Sequence, residues 1–167
     1  MKKPTVYLDT SVISAFWYEG ADIAMMARRL HTREWWELER RHFTVWTSEF
    51  SEAELSDGIL ARQRDCLKMI RRIRYLSVTT AVRDLMDAIV QGKLVPPNKA
   101  GDAAHLAISA AHGVDYVLTW NYAHMANPVV QARFDKLCAM EGLAAPVLVS
   151  PESIPQARFG QAIRRNR

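Results

Sequence analysis

Asp9, Glu54, Asp102 and Asn121 are the residues whose types and settings could do chemistry. Asp9 closes the apolar run "TVYLD" and is followed at once by Thr10 and Ser11. A carboxylate at the end of a buried strand is costly unless something compensates its charge. Either it caps the next helix, or it holds a cation at the strand's carboxyl end. In "TSEFSEAELSDG", Glu54 stands at i, i+3 and i+4 spacing with Phe50 and Ala53, so it borders the face that Phe50 turns toward the core. Glu49 and Glu52 share another face and read as solvated. Asp102 lies near the start of the small-residue helix "GDAAHLAISAAHG", where the helix dipole favours an acid. His105, one turn on, reads as a hydrogen-bonded core residue that could share the face of Asp102. Asn121 follows the strand in "VDYVLTWN". Asp115 sits at that strand's other end, roughly 20 Å away at ~3.3 Å per residue, and cannot stand in for Asn121 in one site.

The elements that must position these groups alternate. Thr5–Leu8 reads as a strand. Helical spacing of Ile23, Ala27 and Leu30, extended imperfectly by Trp35 and Leu38, predicts a helix from about Asp22 to Arg41. "FTVWT" (43–47) is a strand, and Ser48 is placed to cap a short helix ending near Gly58. The basic stretch "ARQRDCLKMIRRIR" (61–74) predicts a helix, followed by the strand "YLSVT" (75–79). Thr80 is placed to cap a helix with Val82, Leu85, Met86, Ile89 and Val90 inward, closed by Gly92. "KLVPPNKAG" is a loop. A helix from about Gly101 to His112 stops at Gly113. Asn127 caps the last helix with Pro128 at its first position, and Gly142 ends it. "PVLVS" (146–150) is the final strand. Strands alternating with helices predict an α/β fold: about five parallel strands with helices on both faces. Ligands in such folds bind at the strands' carboxyl ends, where strand order reverses, and Asp9 falls at such an end.

Bulk properties narrow the classes. A chain of 167 residues that is 49% hydrophobic suits one domain with a substantial core. The last ten residues carry Arg158, Arg164, Arg165 and Arg167 and no acid. Without those four, 18 basic residues face 18 acidic ones. Positions 1–157 are therefore neutral, and the reading is a domain, residues 1–150, followed by an extension, 151–167, with a basic tail that is either solvated or drawn to nucleic acid or an acidic partner. No apolar run is long enough to span a bilayer, and the N-terminal stretch is too short for a signal peptide. Cys66 and Cys138 are isolated and read as reduced thiols, which points to a cytoplasmic protein.

From about Val6 to Val149 the chain resembles the PIN-domain family of metal-dependent ribonucleases, which includes the VapC toxins of toxin–antitoxin pairs. The resemblance rests on "YLDTSVIS" with Asp9, "AEL" with Glu54, "GDAAHLAIS" with Asp102 and "DYVLTWN" with Asn121. It implies a Rossmann-like sheet with Asp9, Glu54 and Asp102 gathered in one cleft around Mg²⁺ or Mn²⁺. The family usually has Asp where this chain has Asn121, and "TWNYAHMANP" is similar to a subgroup with Asn there. Asn keeps a carbonyl oxygen and removes one negative charge. Three carboxylates suffice for one hard cation and would hold a second more weakly.

The function implied is divalent-metal-dependent hydrolysis of RNA phosphodiester bonds, by the toxin of a type II pair. Its partners would be RNA and a cognate antitoxin, with a homodimer expected and no membrane. Asn121 is then placed to position water, Thr10 to bond a ligand or to cap, and Trp17, Tyr18, Trp120 and Tyr122 mostly to pack in the core. Trp35 and Trp36 would serve either a dimer interface or the core. Two other classes fit parts of the pattern. An aspartyl-nucleophile phosphatase also starts from a strand-end Asp but repeats an acid two residues later, where this chain has Ser11. A catalytically impaired RNA-binding or partner-binding module would treat Asn121 as the mark of a decayed site.

Overall fold

The computed structural model describes residues 2–96 and 98–156, so the tail arginines and Pro97 lie outside the described residues. Five short strands, β1 (Thr5–Leu8), β2 (Thr44–Ser48), β3 (Arg74–Leu76), β4 (Tyr116–Leu118) and β5 (Val147–Val149), form one sheet in the order β3-β2-β1-β4-β5. Every pairing is parallel. The chain builds outward from β1 through β2 to β3, then crosses to β4 on the other side. Strand order therefore reverses between β1 and β4, the expected place for a binding crevice. Leu8 pairs with Leu118, which brings Asp9 and Thr119 side by side as the strands end.

Side chains alternate across the sheet and build two cores. Tyr7 and Val117 face Leu85, Ile89, Leu106 and Phe134 on one side. Val6, Leu8, Tyr116 and Leu118 face Ile13, Trp35, Leu55 and Ile70 on the other. Among the described residues seven α-helices cover both faces: α1 (Thr10–Phe16), α2 (Ile23–Glu34), α3 (Glu49–Asp57), α4 (Gln63–Ile70), α5 (Thr80–Gln91), α6 (Ala100–Ala111) and α7 (Pro128–Met140). Among the described residues no helix is long and apolar enough to cross a membrane. Cys66 and Cys138 are both buried and free.

Several helix expectations need correction. The continuous helix to Arg41 stops at Glu34, gives way to a wide π turn over Trp35–Glu39, and then tightens into a 3₁₀ turn. Of its apolar stripe only Trp35 is buried; Ile23 is 85% and Leu30 66% exposed. Thr32 is buried beside Trp35, and the phase change at the π turn carries Glu39 inward. Trp35 is thus core, with Trp36 half-buried against it. Ser48 precedes α3 but makes no cap bond, because its hydroxyl is 2.6 Å from Tyr7 Oη. Thr79, not Thr80, caps α5, accepting from the amide of Val82. Val90 is 41% exposed. The left-handed residue after α5 is Lys93 (φ 51°) rather than Gly92. Asn127 caps α7 as expected, accepting from the amide of Val130. Gly113 and Gly142 leave α6 and α7 at φ 62° and 70°, where a side chain is strained.

Candidate metal centre

Asp9 is 3% exposed and serves first as a helix cap. Its Oδ1 accepts from the amides of Ser11 (3.0 Å) and Val12 (3.3 Å) and from the Ser11 hydroxyl (2.6 Å). Those donors are the otherwise orphaned N–H groups of the first turn of α1. Oδ2 faces away from the cap and takes one bond, from the Thr119 hydroxyl at 2.5 Å. Capping thus explains one oxygen of Asp9, and the second oxygen points across the β1–β4 reversal.

Thr119 carries the connection onward. Its hydroxyl oxygen accepts from the amide of Asn121 at 2.9 Å. The Asn121 amide nitrogen donates to Asp102 Oδ1 at 3.0 Å, while its carbonyl oxygen accepts from the amide of His124 at 3.1 Å. Asn121 therefore has both ends occupied, and what it positions directly is Asp102. The other oxygen of Asp102, Oδ2, is buried without a hydrogen-bond partner. A buried carboxylate oxygen without a protein partner is unusual and marks a place for a water or a cation.

Glu54 reaches the same region from α3. Its Oε2 accepts from the Thr10 hydroxyl at 2.6 Å and lies 3.1 Å from His105 Nε2. Its Oε1 lies over Gly101, immediately before Asp102, so closely that a methyl group there would overlap it. The expected face of α3 is only partly right. Ser51 and Leu55 are its buried residues, Ala53 is exposed and Phe50 half-buried. Glu52 is not simply solvated, since it accepts from Arg71 (2.6 Å) and the Tyr75 hydroxyl (2.7 Å). Asp115 lies apart at the far strand end, accepting from the amide and hydroxyl of Thr5.

His105 is the centre of charge for the three acids. It is 1% exposed, with Nδ1 2.8 Å from the Tyr7 hydroxyl and Nε2 on Glu54. Burial opposes its protonated form, but Tyr7, Glu54 and Asp9 outweigh burial and raise its pKa to about 10. Burial pushes the carboxyl of Asp9 above the usual range, only partly offset by His105 and the bonds from Ser11, Thr119 and Val12. Burial does the same to Asp102 against the pull of Asn121, His105, His124 and Lys99. For Glu54 burial is outweighed, and His105, Thr10 and Lys99 leave its carboxyl below the usual range.

Sequence reasoning selected Asp9, Asn121 and Asp102, which Thr119 links by hydrogen bonds, and Glu54, which is held apart from them by Thr10 and His105, but not the groups that hold them. Ser11, Thr119, Tyr7 and Lys99 were missed. Thr119 alone left a signal, as a polar residue closing an apolar strand. Of the four aromatic residues, Trp120 is buried and donates its indole N–H to Thr32, Trp17 and Tyr18 are half-buried, and Tyr122 is 39% exposed beside Arg28. Among the described residues, no three His, Cys, Asp or Glu groups stand together as a ready-made metal cage. The donor set is nevertheless all oxygen, with one oxygen bare and one cradled by a glycine. That fits a cation such as Mg²⁺, which takes one or two carboxylates and keeps several waters.

A family model for the PIN domain matches residues 6–124, which include all four positions. No curated protein is similar to the chain at a significant level. Among solved structures, the chain is similar to the crystal structure of VapC20 from Mycobacterium tuberculosis, described as a sarcin–ricin loop cleaving toxin. The TM-score is 0.52 at 18% identity, over 77% of this chain and 94% of that one. At that identity the likeness speaks for the fold.

Proposed function

Because the chain belongs to the PIN-domain family, we propose that it is a divalent-metal-dependent endoribonuclease acting as the toxin of a type II toxin–antitoxin pair. The observation that carries this reading is the bare, buried Oδ2 of Asp102 in a network with Asp9 and Asn121 at the β1–β4 reversal. Asp9 and Asp102, both held above the usual carboxyl range by burial, gain from any positive charge brought among them. Asp9, Glu54 and Asp102 would hold Mg²⁺ or Mn²⁺. The chemistry a bound cation supplies is polarisation of a phosphoryl oxygen and acidification of water.

The chain's own groups do the rest. Asn121 orients Asp102 by occupying Oδ1, which leaves Oδ2 for the cation that Asp102 would help to hold. Thr10 holds Glu54 against α1. Lys99, on the rim close enough to act on both Glu54 and Asp102, offers an ammonium to the RNA backbone. Tyr122, exposed and flanked by Arg28, offers a stacking face for a base. Such phosphate contacts hold a strand without reading its sequence.

Toxin activity brings two partners with it, a cognate antitoxin and a second copy of the chain, and places the protein in the cytoplasm. The deciding experiment is cleavage of a mixed RNA pool with Mg²⁺, Mn²⁺ or EDTA by the wild type, Asp9→Asn and Asp102→Asn. Cleavage by the wild type alone, abolished by EDTA, is expected. Cleavage that survives both substitutions rejects the reading, and metal-independent RNA binding without cleavage favours the impaired binding module.

A further inference from the structure

Glu54 poses a problem that Asp9 and Asp102 do not. Its side chain is 40% exposed on α3, with freely rotating bonds between backbone and carboxylate. A long acid on an open helix face does not hold one orientation unless it is clamped. Two clamps are present. On one side Oε2 takes the Thr10 hydroxyl and His105 Nε2. His105 has no freedom of its own. It is buried, and its Nδ1 lies 2.8 Å from the Tyr7 hydroxyl, which is itself 2.6 Å from Ser48 Oγ and 3.1 Å from Ser51 Oγ. On the other side, Oε1 fills the space above Gly101, where an added methyl group would overlap that oxygen and stand 3.3 Å from the carboxyl carbon.

We propose that the Tyr7–His105 pair and the bare Cα of Gly101 form a seat that turns Glu54 Oε1 toward Asp102 and the divalent cation. His105 and Gly101 are then positioning residues. This rests on the reading above that Glu54 and Asp102 hold that cation. With Oε2 saturated by two bonds, Oε1 is the oxygen left to a ligand. His105 does not touch substrate, because it is sealed from solvent and its Nε2 is spent on Glu54. The glycine is required by the neighbouring acid and not by its backbone, since Gly101 lies inside α6 without a left-handed φ.

The test follows from that distinction. Alanine is the better helix former, which offsets part of the cost of displacing Glu54, so Gly101→Ala should fold and melt within a few degrees of the wild type. Mn²⁺ alone, titrated calorimetrically into the purified full-length chain, should nevertheless bind about tenfold or more weakly, the usual loss when a partner that orients a ligand is removed. His105→Gln keeps an N–H donor toward Glu54 and should retain affinity within a few-fold, whereas His105→Leu should lose it like Gly101→Ala. Asp102→Asn serves as the control for the cation reading itself. If Gly101→Ala binds Mn²⁺ as tightly as the wild type, the seat is wrong. If the wild type binds no Mn²⁺, the cation reading falls and the metal-free protein judges the seat: the ¹⁵N-histidine resonance of His105 Nε2 should shift in Gly101→Ala. An unmoved resonance overturns the proposal.

Discussion

Replacing Asn121 by Asp probes the charge balance of the site most directly. The substitution is nearly isosteric, but it exchanges an amide that donates to Asp102 Oδ1 at 3.0 Å for a second carboxylate. Two unit charges at that separation repel by about 5–6 kcal/mol at an effective dielectric constant near 20. A second route limits the cost. The pair can share a proton, as close carboxylate dyads do, and neutralising one ordinary carboxyl at pH 7 costs about 4 kcal/mol. Both residues are half-exposed, so solvent screening lowers the figure further. A destabilisation of about 2–4 kcal/mol is expected, including the lost hydrogen bond. For a chain of this size that is a fall in Tm of roughly 5–15 °C. The assay is thermal melting in EDTA across pH, repeated with saturating Mn²⁺. One carboxyl of the new pair has a folded pKa raised above its unfolded value. The penalty is therefore full above the folded pKa, fades as pH falls through it, and is gone below the unfolded one, so the gap to wild type should close near pH 4. A divalent cation placed between the two carboxylates should also close it at neutral pH. A variant whose metal-free Tm matches wild type at every pH would show that residues 121 and 102 do not face one another, and the site as described would fail.

Three further outcomes test the frame around the site. Leu106→Ala, at a fully buried position of α6 against the sheet, should cost about 2–5 kcal/mol in chemical denaturation, with m unchanged. Glu52→Gln should destabilise at neutral pH, because the Tyr75 hydroxyl and Arg71 hold the Glu52 carboxyl below its usual range. That contribution exists above the unfolded pKa and is lost as pH falls through the folded one, so melts of the two proteins should converge under acid conditions. Asp115→Ala removes the acceptor for both the Thr5 amide and hydroxyl, and should cost about 1–3 kcal/mol by leaving donors unpaired, with RNA cleavage by the folded protein unaltered.

What could be read from the chain depended on whether the signal was local. Apolar runs bounded by turn residues marked all five strands, although β3, β4 and β5 proved shorter than their runs. Parallel order followed from alternation with helices. Position after a strand picked out Asp9 and Asn121, and position at a helix start picked out Asp102. The failure at α2 has a physical origin. Helical periodicity shows that a face is apolar but not that it is covered, and the π turn at Trp35–Glu39 shifts the phase without any glycine or proline to mark it. Ser11 left no signal, and Thr119 only that of a polar residue closing an apolar strand, for a different reason. Their roles come from the Leu8–Leu118 register between strands more than a hundred residues apart, and short hydroxyl side chains fit too many settings to predict such a meeting.

The opening alternative for Asp9, cap or cation holder, dissolves once its two oxygens are treated separately. The cap fixes Oδ1 with three donors and so orients the whole carboxylate. That leaves Oδ2 aimed at Thr119 with little freedom to turn. The same division recurs at the other acids. Asn121 occupies Oδ1 of Asp102 and leaves Oδ2 bare, while Thr10 and His105 occupy Oε2 of Glu54 and leave Oε1 over Gly101. One oxygen of each acid is anchored, but only at Asp102 is the other both buried and bare: Asp9 Oδ2 accepts from Thr119, and Glu54 is partly exposed. A buried cluster built only for stability would satisfy that oxygen as well, because a bare buried acceptor costs more than a hydrogen bond returns. A bare oxygen on Asp102 is what is expected where a hard cation supplies the missing contact.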